Sequence, residues 1–349
     1  MKLVRKLQQM SLRFQVAAGV GLGFLFLFGL LAYLAASNVQ QASEVALSGR
    51  LMLAESTAAN TDALLLHAQR QLEGLAMKVG VPGSRAPVVA LENELRRGFS
   101  VMGTYSAVAL VDSSGEVMAS EFSDMAFTIS DPANQPAVRR ALQTARTAME
   151  VVPAGSAPSP PIVVVAVPVV HPDSKRSLLL VGELQLSRMD VPPLPLSVPG
   201  GAFSIEIIDR QGRVLASTGD PEPGATSYHL GLLTSLMAAR QAGVRLHEHQ
   251  RWPDHVVAYA PLTSLGDGSG VVLEEREDMA LAVPMRLRRD MILFGVGALA
   301  VVLVGAWLHA RSVVIPLGKL ATASQRIAQG KLDQPVRLGR GDEIGQLAA

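Results

Sequence analysis

Polar residues of the types that bind metal ions cluster near residue 250. His247, Glu248, His249, Asp254 and His255 fall within a stretch of nine residues, and imidazole and carboxylate groups are common zinc ligands. If this segment is a strand, His247 and His249 lie on the same face, as ligands of one ion must. The alternative is a solvated polar hairpin. We favour the hairpin, because no second set of residues that would orient the imidazoles is evident, and we expect no metal and no cofactor.

Two aspartates could act as catalytic carboxylates, but their sequence context predicts turns. Asp112 and Asp209 each begin an Asp-x-x-Gly motif, in which the carboxylate accepts hydrogen bonds from the turn and the glycine adopts positive φ. No base or nucleophile lies nearby in the sequence. The chain contains no cysteine, which excludes a thiol nucleophile and disulfide bonds, and it shows no phosphate-binding loop, hydrolase motif or kinase motif. We therefore expect no catalytic site.

The two turn motifs belong to an internal repeat. Residues 107–120 read AVALVDSSGEVMAS and residues 204–217 read SIEIIDRQGRVLAS, with apolar residues at matching alternate positions, which predicts strand, turn and strand in each copy. A helical stretch follows each copy, at 132–150 and at 227–243, and a strand hairpin follows each helix. The sequence therefore predicts two similar α/β units.

A long helix is predicted over residues 40–78, ahead of the repeat. Nine of its positions recur at spacings of four and three residues and form a seam that is almost entirely apolar: Leu47, Leu51, Ala54, Ala58, Thr61, Leu65, Ala68, Leu72 and Leu75. This seam either packs on the helix's own domain or pairs with the same helix of a second chain. A sustained period near 3.5 residues favours a coiled-coil partner, so we expect a homodimer.

Two uncharged segments, 14–36 and 291–310, are long enough to cross a membrane as helices. For the first, the alternative is a secretory signal peptide, but its apolar run is longer than such peptides carry. Residues 1–36 and 311–349 hold 10 Lys and Arg against 3 Asp and Glu, whereas residues 37–290 hold 21 against 27. Basic residues accumulate on the cytoplasmic side. We therefore expect 1–13 and 311–349 in the cytoplasm and 37–290 outside, in a multi-pass protein of the inner (plasma) membrane.

The repeat, behind a long helix and between two spans, resembles the double Cache sensor domain of bacterial receptors over roughly residues 37–280. The phrase DPANQPAVRRAL at 131–142 and the Ala-Val-Pro strand at 166–168 match the family's outer unit. The resemblance implies an α/β (α+β) membrane receptor with two PAS-like units stacked along the long helix, one distal at about 80–190 and one proximal at about 200–276. It also implies that a small molecule or a periplasmic binding protein acts on the outer unit.

In that family small ligands lie between the outer sheet and its helix. By position, the resemblance implies a pocket lined by Tyr105, Glu121, Phe122, Arg139, Arg140 and Val152. The two arginines either hold a ligand carboxylate or are solvated on an exposed helix face, which is the commoner arrangement. The Arg-x-Trp-Tyr stretch and the aspartate of amino-acid-binding members are absent from residues 100–180, which argues against an amino-acid ligand.

The tail after the second span resembles the HAMP relay, which couples membrane helices to output domains in a dimer. The matching residues are a proline after the span, a connector glycine with two apolar residues, and an acidic run that opens the second helix: Pro316, Gly330, Leu332, Val336, Asp342, Glu343, Ile344 and Gly345. The alternative is a basic tail that binds anionic lipid. Only residues 345–349 remain for the second helix, so we expect a fragment of a longer receptor or a truncated product.

These resemblances imply transmembrane signal transduction, with sensing outside the cell and an output domain beyond the relay. By analogy, the expected output is a two-component sensor histidine kinase. The alternatives are a methyl-accepting chemotaxis receptor, a cyclic-dinucleotide synthase and a truncated non-signalling partner. The formal net charge of +1 gives no indication of nucleic-acid binding. The expected partners are therefore a second copy of the chain, the membrane, and a small ligand or a periplasmic binding protein.

Overall fold

The computed structural model describes residues 12–80, 88–122, 132–152, 161–169, 178–188, 203–219, 221–247, 254–309, 311 and 315–329. The chain divides into two compact units, which we describe separately. One is Glu44–Ala282, which we call the α/β unit. The other combines Met1–Ser43 with Val283–Ala349, and we call it the terminal unit.

Helices form both ends of the described chain and connect some of the strands. The helices are α1 (Leu12–Gly80), α2 (Val88–Val101), α3 (Pro136–Thr144), α4 (Leu230–Ala239), α5 (Glu277–Ala280), α6 (Ala282–His309) and α7 (Ile315–Ala328). The strands are β1 (Ala107–Val111), β2 (Val117–Phe122), β3 (Ala148–Val152), β4 (Ile162–Val169), β5 (Leu178–Leu184), β6 (Phe203–Ile208), β7 (Val214–Ser217), β8 (Gly243–His247), β9 (His255–Pro261) and β10 (Gly270–Arg276).

These strands form two antiparallel sheets with the same topology. The first sheet has the order β2-β1-β5-β4-β3 and the second has the order β7-β6-β10-β9-β8. Even an irregularity of register recurs, between Leu110 and Val111 in the first sheet and between Ile207 and Ile208 in the second. The predicted mixed α/β class and the predicted duplication are therefore confirmed.

The Asp-x-x-Gly motifs form the first hairpin turn of each sheet. Asp112 Oδ1 accepts hydrogen bonds from the backbone N–H of Ser114 (2.8 Å) and of Glu116 (3.0 Å). Asp209 Oδ1 accepts the equivalent bonds at 2.8 and 2.9 Å. The glycines of both motifs have positive φ, 89° at Gly115 and 74° at Gly212, where a side chain would be strained. Both aspartates therefore shape turns, as the sequence predicts.

Each unit of the repeat contains one more strand than the sequence predicts. β3 and β8 follow their helices directly, so the predicted helices over 132–150 and 227–243 are wrong in their C-terminal parts. Both helices end at a non-glycine residue in the left-handed conformation, Ala145 and Arg240, each with a φ of 53°. A left-handed residue ends a helix because its carbonyl and N–H leave the helical path. Helix α2, which is amphipathic, was not predicted either.

One face of both sheets packs against α1, and we call it the α1 face. Seven positions of the predicted seam are buried there: Ala54, Ala58, Thr61, Leu65, Ala68, Leu72 and Leu75. They pack against residues of both sheets, such as Val108 and Leu180 in the first and Ile207 and Leu273 in the second. The interpretation of these positions as a dimer seam is therefore wrong, because the chain's own sheets cover them. The homodimer itself stays a prediction.

The opposite face of each sheet is covered by its own short helix. In the first sheet this α3 face packs small residues, including Ala107 and Ala109, against Ala137, Val138 and Ala141 of α3. In the second sheet the α4 face packs larger residues against α4: Ile208, Val257, Tyr259 and Val272 of the strands meet Leu233, Leu236 and Met237 of the helix. Both units therefore consist of a sheet between α1 and a helix of their own.

In the terminal unit, α6 is long and apolar enough over Ala282–Leu308 to cross a membrane, and it includes the predicted second span as far as His309. Among the described residues, it is the one candidate span. The predicted first span, 14–36, lies within α1, which begins at Leu12, and it stays a prediction. Pro316 occupies the second position of α7, where proline is tolerated. The other predicted relay residues, from Gly330 to Gly345, lie outside the described residues.

Candidate functional site

The first sheet separates the six residues predicted to line a ligand pocket. Tyr105 belongs to the core on the α1 face. Glu121 pairs in register with Val108, which lies on that same face, whereas Phe122 pairs with Ala107 on the α3 face. Val152 also packs on the α3 face. A pocket that includes all six residues is therefore wrong, because directly opposite residues of paired strands share a face and a sheet lies between the two groups.

Tyr105 and Glu121 have structural partners on the α1 face. The Tyr105 hydroxyl donates a hydrogen bond of 2.7 Å to the carbonyl oxygen of Ala68 in α1, and burial raises the pKa of this phenol, with the charge of Glu73 adding to the effect. Its ring fills the space above Gly182, where a Cβ atom would lie 2.4 Å from the ring carbon Cε1. Glu121 accepts a 2.9 Å hydrogen bond from Nε of Arg96 in α2. Tyr105 therefore contacts α1, and Glu121 joins β2 to α2.

The two arginines of α3 are exposed. Arg140 forms an ion pair with Glu150 of β3, and α3 packs on the sheet through its apolar residues instead. These positions agree with the alternative in which the arginines are solvated. Through Glu150, Arg140 lies next to β3, on the same side of the sheet as Val152 and Phe122.

A buried glutamate on the α3 face, and a buried glutamine just after the same strand, were missed by the sequence analysis. Glu183 of β5 pairs in register with Ala107 and with Val164, both of which lie in the core on that face. Burial raises the pKa of Glu183 from 4.5 to about 7. Gln185 follows two residues later and is also buried, and its side-chain amide makes no hydrogen bond within the described residues.

These two residues are candidates to bind a polar ligand, because buried polar groups need partners. A signal for them exists in the sequence. The segment LLLVGELQL, residues 178–186, is apolar except at Gly182 and at these two polar positions, which are two residues apart. On a strand that spacing would place both side chains on one face, and in the structure β5 ends at Leu184, between the two residues.

The raised pKa of Glu183 predicts a pH-dependent stability. Between about pH 4.5 and pH 7, the unfolded chain releases the Glu183 proton while the folded chain retains it, so this residue makes the fold less stable as the pH rises. The free energy of unfolding of the wild type, relative to that of Glu183→Gln, should fall by about 3 kcal/mol from pH 4.5 to pH 8. Urea denaturation at several pH values measures this difference. The exposed Glu55 provides a control, and the idea fails if Glu183→Gln and Glu55→Gln change the pH profile alike.

The predicted metal-binding segment near residue 250 is only partly described. His247 and His255 are opposite each other on β8 and β9, whereas Glu248 and His249 lie outside the described residues. Both histidines approach a group on the α4 face that the sequence analysis missed: the buried Glu206 and His229 and the half-buried Glu274. One ligand atom from each of these three residues lies within 4.8 Å of the other two. They are the residues of the described chain that are best placed to hold a metal ion.

The C-terminal tail matches a known protein family. The model of the HAMP domain matches residues 310–349. The chain carries a HAMP domain. This finding confirms the resemblance on which the relay residues were predicted.

Similar proteins include chemotaxis receptors and kinase sensors. A segment of 52 residues is 44% identical to the methyl-accepting chemotaxis protein McpQ of Pseudomonas putida, and it covers 15% of this chain and 8% of McpQ. The extracellular domain of the proposed histidine kinase mmHK1S-Z2 superimposes with a TM-score of 0.52 at 12% identity, over 68% of this chain and 99% of that domain. The ligand-binding domain of the amino-acid chemoreceptor PctB of Pseudomonas aeruginosa PAO1, in complex with L-Gln, gives a TM-score of 0.48 at 17% identity, over 66% of this chain and 90% of that domain.

The α/β unit thus has the fold of an extracellular sensor domain. The sequence identity of 12% is too low to indicate more than a shared fold. This fold precedes a helix apolar enough to span a membrane and a HAMP domain in one chain. Together they support a membrane receptor that acts in transmembrane signal transduction. The matched segment spans less than a tenth of McpQ, so the activity of the whole protein is a matter for proposal.

Proposed function

We propose that this chain is the sensory part of a dimeric, two-span receptor of the bacterial inner membrane. The observation that carries the proposal is the order of its parts: a duplicated α/β unit with a sensor-type fold, then the apolar helix α6, then the HAMP domain. A HAMP domain acts in the cytoplasm, so the α/β unit lies on the other side if α6 spans the membrane once. The first span at 14–36 then returns the basic N-terminus to the cytoplasm.

The absence of cysteine allows this topology to be tested with single-cysteine variants. In spheroplasts, a membrane-impermeant maleimide should label Ser113→Cys, whose serine is exposed in the first hairpin turn. Gln9→Cys and Arg340→Cys should react only after permeabilisation, because both positions are placed in the cytoplasm. Labelling of positions 113 and 340 from the same side would contradict the proposal. Labelling of position 9 from outside would contradict only the first span.

We place the ligand of this receptor on the α3 face of the outer unit. Glu183 and Gln185 offer an amide and a carboxyl group that keeps its proton up to about pH 7, which together donate and accept hydrogen bonds. They suit a small polar molecule that presents both kinds of group. A thermal-shift screen of the full chain against metabolites tests this placement, because a ligand that stabilises the wild type should not stabilise Glu183→Gln. Stabilisation of both proteins alike would place the ligand elsewhere. No stabilising ligand at all would favour a periplasmic binding protein.

The proposed output is a sensor histidine kinase, as expected by analogy for this domain order. The second candidate is a methyl-accepting chemotaxis receptor, which the segment shared with McpQ favours. The two differ in the part of the protein that follows the HAMP domain. A kinase requires a phosphoacceptor histidine on a helical hairpin, whereas a chemotaxis receptor requires a long heptad array. The codons downstream of Ala349 in the gene distinguish these possibilities.

A further inference from the structure

A group of polar side chains lies on the α4 face of the second sheet, next to an apolar core. Glu206 lies on β6, and Glu274 lies on the adjacent strand β10. Glu206 pairs with Val272, which is two residues before Glu274. Val272 belongs to the core under α4. Alternate residues of a strand share a face, so Glu206, Val272 and Glu274 all point toward α4. His229, the residue that precedes α4, lies over the same end of this face.

The distances within this group fit ligands of one ion. Nε2 of His229 lies 3.2 Å from Oε2 of Glu274, and one ligand atom of Glu206 lies within 4.8 Å of both residues' ligand atoms. Zinc bonds to nitrogen and oxygen are about 2.0–2.2 Å long, so tetrahedral zinc holds its ligand atoms about 3.4 Å apart. The His229–Glu274 pair already has nearly this separation, and Glu206 would need to move by no more than about 1.4 Å.

Two further histidines support the group from the strands at the other edge. Nδ1 of His229 lies 2.9 Å from Nδ1 of His247, which is the distance of a hydrogen bond. When His229 donates this bond, its Nε2 carries a lone pair that can bind a metal ion, because a hydrogen bond from the other ring nitrogen fixes the tautomer of a metal-bound histidine. Nε2 of His255 lies 3.5 Å from Oε1 of Glu274, so His255 stands beside the same carboxylate.

The burial of this group favours a bound cation. Glu206 is 1% exposed and His229 is 2% exposed. Both carboxylate oxygens of Glu206 are buried, and their contact with the Ser227 hydroxyl falls short of normal hydrogen-bond geometry. A buried carboxylate with so little hydrogen bonding is costly, and a metal ion would satisfy it.

We propose that the inner unit binds one Zn²⁺ ion through Glu206, His229 and Glu274. In this site His247 orients the imidazole of His229, and the fourth position is taken by His255 or by water. Two carboxylate oxygens and one or two imidazole nitrogens form a ligand set typical of zinc. The proposal goes beyond ligand sensing in the outer unit, because it concerns a second chemical signal at a separate site.

The outer unit provides an internal comparison. In the equivalent register of its sheet, Ala109 pairs with Val181 as Glu206 pairs with Val272. Glu183 therefore corresponds to Glu274, but alanine takes the place of Glu206, and Gln135 is the residue that precedes α3, where His229 precedes α4. Among the described residues, the outer unit thus has one of the three ligands, and zinc should bind only to the inner unit.

The test uses the full chain, purified in detergent without a polyhistidine tag and freed of metal with a chelator. Titration with Zn²⁺, followed by calorimetry and by competition with a chromophoric chelator, should give one ion per chain. Glu206→Gln and His229→Gln should each weaken this binding by at least about tenfold. His67→Gln, which changes an exposed histidine of α1, should bind zinc like the wild type.

A spectroscopic measurement separates direct coordination from an indirect effect on folding. Co²⁺ in place of Zn²⁺ should give the visible absorption of a tetrahedral site, and this absorption should be lost in Glu206→Gln. Circular dichroism in the absence of metal checks that each variant is folded. If Glu206→Gln does not fold, Glu274→Gln serves as the ligand variant. Fewer than about 0.1 zinc ions per wild-type chain, or an affinity unchanged in folded ligand variants, would overturn the proposal.

Discussion

Replacing Leu72 with alanine is expected to lower the free energy of unfolding of the α/β unit by about 2 to 5 kcal/mol. Leu72 lies on α1, is 0% exposed, and belongs to the core that α1 forms with both sheets. Its side chain also approaches Gly182 of β5, because a Cβ atom built there would lie 3.1 Å from Leu72 Cδ2. Truncation therefore removes buried apolar surface and leaves a cavity between α1 and the first sheet. Urea denaturation followed by circular dichroism measures the loss.

Leu66→Ala is the matched control for this prediction. Leu66 lies on the same helix and is 42% exposed, so its replacement should change the free energy of unfolding by no more than about 1 kcal/mol. If α1 instead presented the seam to a second chain, the loss at Leu72 would depend on protein concentration, as the stability of a dimer does. A loss at Leu72 that is no larger than that at Leu66 would contradict the packing described here.

The seam of α1 shows what hydrophobic periodicity can and cannot predict. The pattern at Ala54, Leu65 and Leu72 correctly identified a buried stripe on a long helix. It could not identify what covers the stripe, because a sheet of the same chain and a helix of a second chain both bury an apolar face. The small residues of the stripe suit close packing against a sheet as well as against a helix. The distinction depends on contacts with strands far away in the sequence.

The duplicated turns were predicted because their determinants are local. Asp112 and Gly115 specify the turn within four residues, and Asp209 and Gly212 repeat it. The edge strands β3 and β8 were missed because the helices before them end at Ala145 and Arg240. Neither residue type is typical of the left-handed conformation that ends a helix, so no stop signal is recognisable at these positions.

The candidate sites were predicted less well because they depend on register. Glu121 and Phe122 are neighbours on β2, yet their side chains lie on opposite faces of the sheet, since a shift of one residue reverses the face. Glu183 and Gln185 could have been found as polar positions in an apolar strand. The residues Glu206, His229 and Glu274 could not, because they are brought together only by the pairing of β10 with β6 and by the position of α4.

The second large effect is expected at an ion pair that joins α1 to the last strand of the second sheet. Nε of Arg50 in α1 lies 2.8 Å from Oε2 of Glu275 in β10, and their side chains are 22% and 9% exposed. Arg50→Met should lower the free energy of unfolding by about 3 to 5 kcal/mol, because it leaves the Glu275 carboxylate buried without its partner. The double variant Arg50→Met with Glu275→Leu should recover most of this loss, since it removes the buried charge as well.

An exposed ion pair of the same unit separates burial from charge as the cause of this loss. Arg240 pairs with Asp267, and their side chains are 62% and 70% exposed, so Arg240→Met should cost less than about 1 kcal/mol. Equal losses for Arg50→Met and Arg240→Met in urea denaturation would show that burial is not the cause.

The buried pair also has a position suited to signalling, because β10 runs directly into α5 and α6 along the chain, and α1 contains the predicted first span. If the ion pair sets the position of α1 relative to β10, the double variant should regain stability while its response to the ligand stays altered. A contact that only stabilises the fold would restore both together.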